Sequence, residues 1–203
     1  MKLSGIPVVI SAPSGAGKST IASHLLKLHP AAAVSISCTT RAPRSGEANG
    51  RDYFFTSNDE FKKMIERGEF LEWAEVHGHR YGTPLAALEK QLADKKDVIL
   101  TIDPQGALSI KKIYPQGIDI FVVPPTWEIL VDRLTKRATD DQASLDRRIA
   151  NARKELTYLS HYDYLVVNGD LDVAVKNVLS IIQAEHQRLS RIDINAIPIF
   201  SHS

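Results

Sequence analysis

A glycine-rich segment at residues 12–20, APSGAGKST, constrains the fold of this chain more than any other feature. An apolar run at residues 6–10 precedes it, and a helix-compatible pattern at 21–28 follows it. In such a strand, turn and helix, backbone N–H groups converge on a phosphate and the helix dipole favours its negative charge. The segment therefore predicts a nucleotide phosphate loop. The alternative is an ordinary glycine and serine turn with a surface lysine.

The residue types in this loop match the usual G-x-x-x-x-G-K-[ST] pattern, except that Ala12 occupies the first glycine position. We expect Ala12 to be tolerated because a small residue suffices where the backbone does not adopt a positive φ. Lys18 can reach the β- and γ-phosphates, and the Ser19 hydroxyl can ligate Mg²⁺. The predicted triphosphate-binding residues are Ala12, Pro13, Ser14, Gly15, Ala16, Gly17, Lys18, Ser19 and Thr20.

The composition is that of a soluble globular protein, with 43% hydrophobic and 24% charged residues among 203, which fits one domain. The net charge of +1 provides no global basic field for nucleic acid. No apolar run is long enough to span a membrane, and the N-terminus does not have the form of a signal peptide. The single cysteine, Cys38, excludes an intrachain disulfide and is best interpreted as a small buried residue. We therefore expect a cytoplasmic protein without a nucleic-acid or membrane partner.

Apolar strand patterns alternate with helical patterns over most of the chain. The strand patterns lie near Ile6, Ala33, Val98, Ile118 and Leu165. This alternation predicts an α/β fold in which helices cover both faces of a parallel sheet. Residues 53–83 interrupt the alternation with short amphipathic strands, so we expect a small antiparallel or mixed insert there. Within the insert, a helix is predicted at 58–68 with Asn58 or Asp59 as its cap.

The polar stretch at residues 38–52 contains Arg41, Arg44 and Arg51 and is interrupted by proline and glycine. A loop this long inside a compact domain is usually functional or disordered. It is either a solvated loop or a second anion site, because a planar guanidinium matches the geometry of phosphate oxygens. Basic residues are also dense at 133–153, where a solvated helical hairpin with i, i+4 ion pairs accounts for most of them.

Glu72 lies in a stretch with period-2 character, residues 70–76, and shares its face with Phe70, Ala74 and Val76. A carboxylate on an apolar face is costly unless a partner compensates it. The strand is therefore either a twisted edge with a solvated Glu72 or part of a site in which something pairs with the carboxylate. Asp103 follows another apolar run, at the position where open α/β sheets place ligand-contacting groups.

Taken together, these segments resemble guanylate kinase, a family of nucleoside-monophosphate kinases that phosphorylate GMP with ATP. The TTR-x-PR-x-GE-x-x-G-x-DY pattern is highly specific for it, and the resemblance extends from about residue 5 to about residue 191. It implies a P-loop three-layer fold with a parallel central sheet, a GMP-binding insert and a helical lid. The matching segments are residues 11–20, 35–55, 70–84, 102–107, 133–137 and 162–168.

The resemblance also implies a role for each matching residue. The GMP phosphate would be held by Arg41, Arg44, Tyr53 and Tyr81. The guanine would be recognised by Glu72, Ser37 and Thr83, with Asp103 nearby. Lid arginines that engage the ATP phosphates would be Arg133, Arg137 and Arg148, and Asn168 would lie near the adenine. The catalytic set would be Lys18, Arg44, Arg133, Arg137 and Arg148, with Mg²⁺ bound directly by Ser19 and, through water, by Asp103.

A carboxylate suits guanine on chemical grounds. Guanine presents N1–H and N2–H₂ donors on one edge, and an ionised Glu72 can accept from both because it has only acceptors. Adenine offers a bare N1 acceptor on the same edge, which would leave the buried charge unpaired. The site is therefore expected to reject AMP. A kinase for TMP or UMP is also disfavoured, since those bases offer a poorer donor edge.

One departure from the family pattern concerns the metal. The family usually reads D-I-D before the QGA segment, whereas this chain has Thr101, Ile102 and Asp103. An aspartate at such a strand end helps to hold the Mg²⁺ water shell. Either Asp103 serves alone or Thr101 contributes a weaker hydroxyl. Pro104 should bias Asp103 toward an extended backbone.

The resemblance implies one guanylate-kinase-like domain over residues 1–203. Its expected parts are a core (1–34, 84–136 and 155–190), a GMP-binding insert (35–83), a lid (137–154) and a tail (191–203). The expected reaction is transfer of the γ-phosphate of ATP to GMP in purine nucleotide metabolism, by a monomer or homodimer, with dGMP acceptance left open. The alternative function is a non-catalytic module that binds phosphorylated proteins, but such a module has no use for Gly17, Lys18 and Ser19.

Overall fold

The computed structural model describes residues 5–76, 78–136 and 142–200, which form nine strands and seven α-helices. The strands are β1 (Pro7–Ser11), β2 (Ala32–Val34), β3 (Cys38–Thr39), β4 (Phe54–Phe55), β5 (Phe70–Val76), β6 (His79–Pro84), β7 (Asp97–Thr101), β8 (Ile118–Val123) and β9 (Tyr164–Val167). The helices are α1 (Lys18–Leu28), α2 (Asn58–Glu66), α3 (Leu85–Ala93), α4 (Pro104–Ile113), α5 (Trp127–Lys136), α6 (Gln142–Leu156) and α7 (Leu171–His186). Short 3₁₀ helices follow α6 and α7, at Thr157–His161, Leu189–Arg191, Ile194–Ala196 and Pro198–Phe200.

Five strands form a parallel sheet in the order β2-β7-β1-β8-β9. Helices cover both of its faces, as the alternation of patterns predicts. On one face Val8 and Ile10 pack with α1 and α7, and on the other Val9 and Leu100 pack with α3 and α4. The central strand β1 is buried along its whole length, which explains its uninterrupted apolar sequence. The α/β prediction is confirmed.

A second sheet has the order β4-β3-β6-β5 and is mixed, because β3 pairs in parallel with β4 and antiparallel with β6. Strand β3 lies inside the stretch 38–52, which the sequence pattern assigns to a loop. Two residues with partners on both sides are too short to leave a periodic signal in the sequence. Helix α2 begins one residue after Ser57, whose Oγ accepts from the Glu60 N–H at 3.1 Å. The predicted cap is therefore wrong by one position for Asn58 and by two for Asp59.

Helices α5 and α6 form a hairpin with its own apolar cluster, in which Leu130 and Leu134 pack against Ala152. The guanidinium carbon of Arg153 lies 4.7 Å from the centre of the Trp127 ring and ties the two helices together. The predicted lid residue Arg137 lies outside the described residues. Within the described ranges, no helix combines the length and apolarity needed to cross a bilayer.

Candidate active site

The glycine-rich loop connects β1 to α1 and turns tightly at the carboxyl edge of the parallel sheet. Gly15 and Gly17 have φ of 84° and 96°, and the Ala16 N–H donates to the Pro13 carbonyl at 3.1 Å. Within the described part of the chain, Lys95 is the sole non-glycine residue with positive φ, so Ala12 has no such requirement. The condition on which alanine is expected to be tolerated at the first loop position is therefore met, and binding of phosphate by this loop stays a prediction.

Lys18 begins α1 and points back across the edge of the sheet. Its Nζ donates to the Ile102 carbonyl at 3.1 Å, just beyond the end of β7. Burial lowers the pKa of the Lys18 ammonium, and the carboxylates of Asp103 and Glu155 oppose that effect. Ser19 and Thr20 follow on the exposed side of the first helical turn. A cation and a hydroxyl therefore lie together where the phosphates of a nucleotide are expected.

Asn168, just after β9, is hydrogen-bonded to the backbone of this loop. Its Nδ2 donates to the Ala16 carbonyl at 2.8 Å, and Arg133 Nη2 donates to the Asn168 carbonyl at 3.2 Å. Gly17 has a positive φ, and a Cβ placed on it would lie 2.5 Å from Asn168 Nδ2, so the backbone and the close approach both favour glycine there. The Asn168 amide is thus engaged with the loop backbone. The predicted contact of Asn168 with adenine stays a prediction.

Glu155, near the end of α6, is a site residue that the sequence patterns did not reveal. Its Oε2 accepts from the Ser14 N–H at 3.1 Å, across 141 residues of sequence. Burial raises the pKa of Glu155, and Asp103 adds to that effect, while the Ser14 N–H and Lys18 oppose it. One signal was present, because Glu155 lies about one helical turn after the buried Ala152, at the margin of the apolar stripe of α6.

Strand β5 lies at the edge of the second sheet, but Glu72 is buried, with 9% of its surface exposed, so the alternative of a solvated Glu72 is wrong. It pairs across the sheet with Thr83, whose hydroxyl donates to Glu72 Oε1 at 2.6 Å. Glu72 and Ala74 share the buried face of β5, as predicted. A register irregularity between Phe70 and Glu72 shifts Phe70 out of that alternation, and Phe70 instead stacks on Phe61 of α2 at 4.5 Å.

The surroundings of Glu72 shift the pKa of its carboxyl group. Burial raises the Glu72 pKa to about 7, the Thr83 hydroxyl opposes that rise, and Asp103 adds to it. A Cβ on Gly106 would lie 2.7 Å from Glu72 Oε2, so the glycine of the QGA segment makes room for the carboxylate. Ser37 immediately precedes Cys38, whose partner Gly82 immediately precedes Thr83, which brings Ser37 to the same end of the second sheet.

Asp103 lies between the two groups of residues. It has the extended backbone that Pro104 predicts, with φ of −76° and ψ of 163°. Its Oδ1 caps α4 by accepting from the N–H groups of Gln105 and Gly106 at 2.8 and 3.1 Å. Its charge influences both Glu72 and Lys18. Asp103 therefore links the phosphate loop to the carboxylate of the second sheet.

A cationic and aromatic cluster is built on the second sheet from residues in or next to β3, β4 and β6. Arg41 Nη2 donates to both carboxylate oxygens of Glu47 at 2.9 Å, and its guanidinium carbon lies 5.4 Å from the Tyr53 ring centre. Tyr53 and Tyr81 meet edge to face at 6.0 Å between ring centres. Arg44 is exposed, and its backbone N–H donates to Glu47 at 2.8 Å. Glu47 therefore organises both arginines, a role its place in the sequence motif did not assign.

Two of the three predicted lid arginines are described. Arg133 on α5 is tied to the Asn168 carbonyl, and Arg148 on α6 is half-buried. Among the described residues, no group of three or more His, Cys, Asp and Glu side chains is arranged to hold a metal ion. Ser19 and Asp103 are nevertheless both oxygen donors at the edge of the phosphate loop, and that donor type suits Mg²⁺.

A family model described as guanylate kinase matches residues 4–185. The chain belongs to the guanylate kinase family. A guanylate kinase of Caldanaerobacter subterraneus is 47% identical over 191 residues, which cover 94% of this chain and 93% of that relative. A guanylate kinase of Nitrosomonas europaea is 48% identical, covering 90% of this chain and 91% of the relative.

The fold comparison agrees with this assignment. The crystal structure of guanylate kinase from Anaplasma phagocytophilum matches with a TM-score of 0.80 at 33% identity, covering 94% of this chain and 91% of that chain. The resemblance inferred from the motifs and the P-loop α/β fold are therefore confirmed, and the chain is a kinase.

Proposed function

We propose that this chain transfers the γ-phosphate of ATP to GMP, giving ADP and GDP. One observation carries the proposal. A buried carboxylate, Glu72, is held by Thr83 on the second sheet, and Asp103 connects it to a complete phosphate loop that contains Lys18. The phosphate loop alone would fit many kinases. The buried carboxylate selects a base with donors on its edge.

Guanine recognition is inferred from the surroundings of the Glu72 carboxylate. Its desolvation raises the pKa to about 7 because the Thr83 hydroxyl only partly compensates the buried charge. The N1–H and N2–H₂ groups of guanine would donate to the ionised carboxylate and lower that pKa again. Ser37 and Thr83 border the same edge. An adenine would present an acceptor to a buried anion, so AMP should bind poorly.

The GMP phosphate would lie against Arg41, Arg44, Tyr53 and Tyr81. A phosphate monoester has its second pKa near ~6, so the attacking oxygen is already largely deprotonated at neutral pH. The nucleophile then needs no general base. The site must instead overcome the repulsion between the GMP phosphate and the ATP phosphates. It can do so by holding both in position and by placing positive charge around them. The guanidinium of Arg41 is already oriented for this by its paired hydrogen bonds to Glu47.

The ATP phosphates would lie on residues 12–20, with Lys18 against the β- and γ-phosphates. Ser19 would hold Mg²⁺ directly, and the Asp103 oxygen that does not cap α4 would accept from its water shell. When bound, Mg²⁺ neutralises charge that develops on the transferring group. Thr101 ends β7 at the same edge and offers at most a hydroxyl. Asp103 is therefore the acidic residue on which metal binding should depend.

A lid and a substrate-binding insert complete the proposed organisation. We assign residues 35–83 to the insert that binds GMP, residues 137–154 to the lid and residues 191–203 to the tail. Lid closure would bring Arg133, Arg137 and Arg148 to the ATP phosphates and exclude water, which would otherwise hydrolyse ATP. We expect a cytoplasmic monomer or homodimer without nucleic-acid or membrane partners, in GMP recycling.

The test is ADP formation from Mg²⁺·ATP with GMP, AMP, UMP or TMP compared side by side. We expect turnover with GMP and at most trace turnover with the other three. Turnover with none of them, together with tight GMP binding, would instead indicate a phosphoprotein-binding module or the loss of metal binding at Thr101. The variant Thr101→Asp separates those outcomes, because only the second should gain activity.

A further inference from the structure

A carboxylate from helix α6 contacts the phosphate loop, where a polyanion is expected to bind. The backbone N–H of Ser14, the third residue of the loop, donates to the carboxylate of Glu155 at 3.1 Å. That N–H is therefore committed to the protein and does not point freely at a ligand. The carboxylate is partly desolvated and close enough to Lys18 and Asp103 for each to influence its pKa. Neither guanine recognition nor the proposed transfer step assigns a role to this side chain.

The position of Glu155 in the fold suggests what it does. It lies near the end of α6, whose Ala152 packs against Leu134 of α5. Leu134 in turn faces the loop, since a Cβ built on Gly15 would lie 3.2 Å from its Cδ2. The α5–α6 hairpin thus contacts the loop at two successive residues, Ser14 through a hydrogen bond and Gly15 through packing. The same hairpin carries Arg133 and Arg148.

We propose that Glu155 is a positioning residue that anchors the outer arm of the phosphate loop to helix α6 through the Ser14 N–H. A hydrogen bond to an ionised acceptor is stronger than a neutral one and fixes the direction of the peptide group. The next peptide group, which carries the Gly15 N–H, is then oriented before ATP arrives. Preorganisation of this kind lowers the cost of binding and acts on ATP rather than on GMP.

The charge of Glu155 has an opposite effect that the test must separate. A carboxylate near the phosphates repels them, so loss of the charge alone should leave ATP affinity unchanged or raise it. Loss of the acceptor should lower ATP affinity. Glu155→Gln removes the charge and keeps an acceptor at the same reach. Glu155→Met is equally neutral and similar in length, but it has no oxygen. The difference between these two variants therefore isolates the hydrogen bond.

The experiment measures Kd for a non-hydrolysable ATP analogue with Mg²⁺ by calorimetry, and KM for ATP and for GMP in the full chain. We expect Glu155→Gln to retain at least about one third of the wild-type affinity for the analogue. We expect Glu155→Met to bind about tenfold or more weakly than Glu155→Gln, the range for a lost hydrogen bond to such a group. KM for GMP should be unchanged in both, which a general loss of structure would not produce.

Matched controls and a second variant keep the proposal falsifiable. Glu66→Gln and Glu66→Met make the same changes at an exposed residue of α2 and should alter neither constant. Should Glu155→Met fail to fold, Glu155→Asp replaces it, because it retains the charge but shortens the reach. It should then bind the analogue more weakly than Glu155→Gln.

The inference is overturned if Glu155→Met, or its replacement Glu155→Asp, binds the analogue within threefold of Glu155→Gln. It is equally overturned if both neutral variants gain the same affinity, which would make Glu155 a competitor of the phosphates. The inference rests on the proposed function only in taking ATP as the ligand of the loop. Wild-type turnover of GMP is measured first, so failure of the proposed function is recognised separately.

Discussion

The two sheets of this kinase build their sites in different ways. The parallel sheet has long apolar strands, and its central strand is buried throughout. At its edge the phosphate loop is held through backbone atoms, by Asn168 on the Ala16 carbonyl and Glu155 on the Ser14 N–H. The second sheet has strands as short as two residues, and Trp73 on β5 is 47% exposed. There, side chains such as Glu72 and Thr83 form the site through pairs across strands.

On the proposed assignment of the two sites, the two substrates are recognised by different physical means. Triphosphates share one backbone chemistry, so a rigid loop of N–H groups on a deep core suffices for them. A particular base requires side chains with defined donors and acceptors, and these can be carried by a smaller and less buried sheet. Few buried apolar contacts also imply lower local stability for the second sheet. The first two predictions below perturb one sheet and measure the other.

The largest effect should come from the phosphate loop. Lys18→Met removes the cation at the β- and γ-phosphates, and we expect kcat to fall by about 10³-fold or more, in the range of other groups that stabilise transferring phosphoryl charge. GMP affinity should be unchanged, because Lys18 lies on the phosphate loop at the edge of the parallel sheet. Steady-state kinetics and GMP calorimetry measure the two quantities. A kcat within tenfold of wild type would contradict the role of this loop in transfer.

The next effect concerns the second sheet. Glu72→Gln leaves an acceptor for only one guanine donor and adds an N–H₂ group that faces the other, so kcat/KM for GMP should fall about 10²-fold or more. Discrimination against AMP should shrink while ATP affinity is unchanged. The control is Glu75→Gln on the exposed face of the same strand, which should behave as wild type. If AMP discrimination survives in Glu72→Gln, another group must recognise the base.

The pH dependence of GMP binding should sharpen the same distinction. Because the Glu72 pKa is raised to about 7, the carboxyl is mostly protonated at pH 6 and mostly ionised at pH 8. GMP affinity should therefore be about tenfold weaker at pH 6 than at pH 8, one unit of pKa corresponding to a factor of ten. In Glu72→Gln the affinity for GMP should change with pH only because the GMP phosphate itself titrates. Calorimetry at several pH values measures both, and an equal slope in the two proteins would refute the assignment.

Folding stability without GMP should show the opposite sign. Between the ordinary Glu pKa of 4.5 and about 7, the native protein holds a proton on Glu72 that the unfolded chain has lost. This carboxyl therefore stabilises the folded protein fully below pH 4.5, the pKa in the unfolded chain. The stabilisation is lost as the pH rises through about 7, the pKa in the folded protein. The loss is on the order of 3 kcal/mol. Denaturant titrations at pH 5 and pH 8 should show a smaller difference for Glu72→Gln.

The sequence predicted the parallel sheet well and the second sheet less completely, for one reason. Strands such as β1 and β8 are apolar runs of five or six residues, so burial on both faces is written directly in the sequence. Strand β3 is stabilised by neighbours on both sides, and those partners lie far away in sequence. The phosphate loop and Glu72 were local signals. The contact of Glu155 with Ser14 depends on how α6 packs against α5, and no local pattern contains that information.

The smallest effect tests whether the second sheet is locally less stable than the core. Ser57 caps α2 beside this sheet, and Asp170 caps α7 on the parallel sheet by accepting from the Val173 N–H at 2.9 Å. Replacement of either by Ala should cost about 1 kcal/mol locally. For Asp170→Ala we expect Tm to fall by about 2–4 °C, because α7 unfolds with the core.

For Ser57→Ala, Tm should change less, while hydrogen exchange of the α2 amides accelerates about fivefold, since that region opens without global unfolding. Ser57→Asp, which retains a capping oxygen, should restore the wild-type exchange rates. Equal Tm losses in Ser57→Ala and Asp170→Ala, with no selective exchange in α2, would mean that the two sheets unfold as one unit. The less buried sheet would then owe its strength to the parallel core, and the contrast between the sites would be one of chemistry alone.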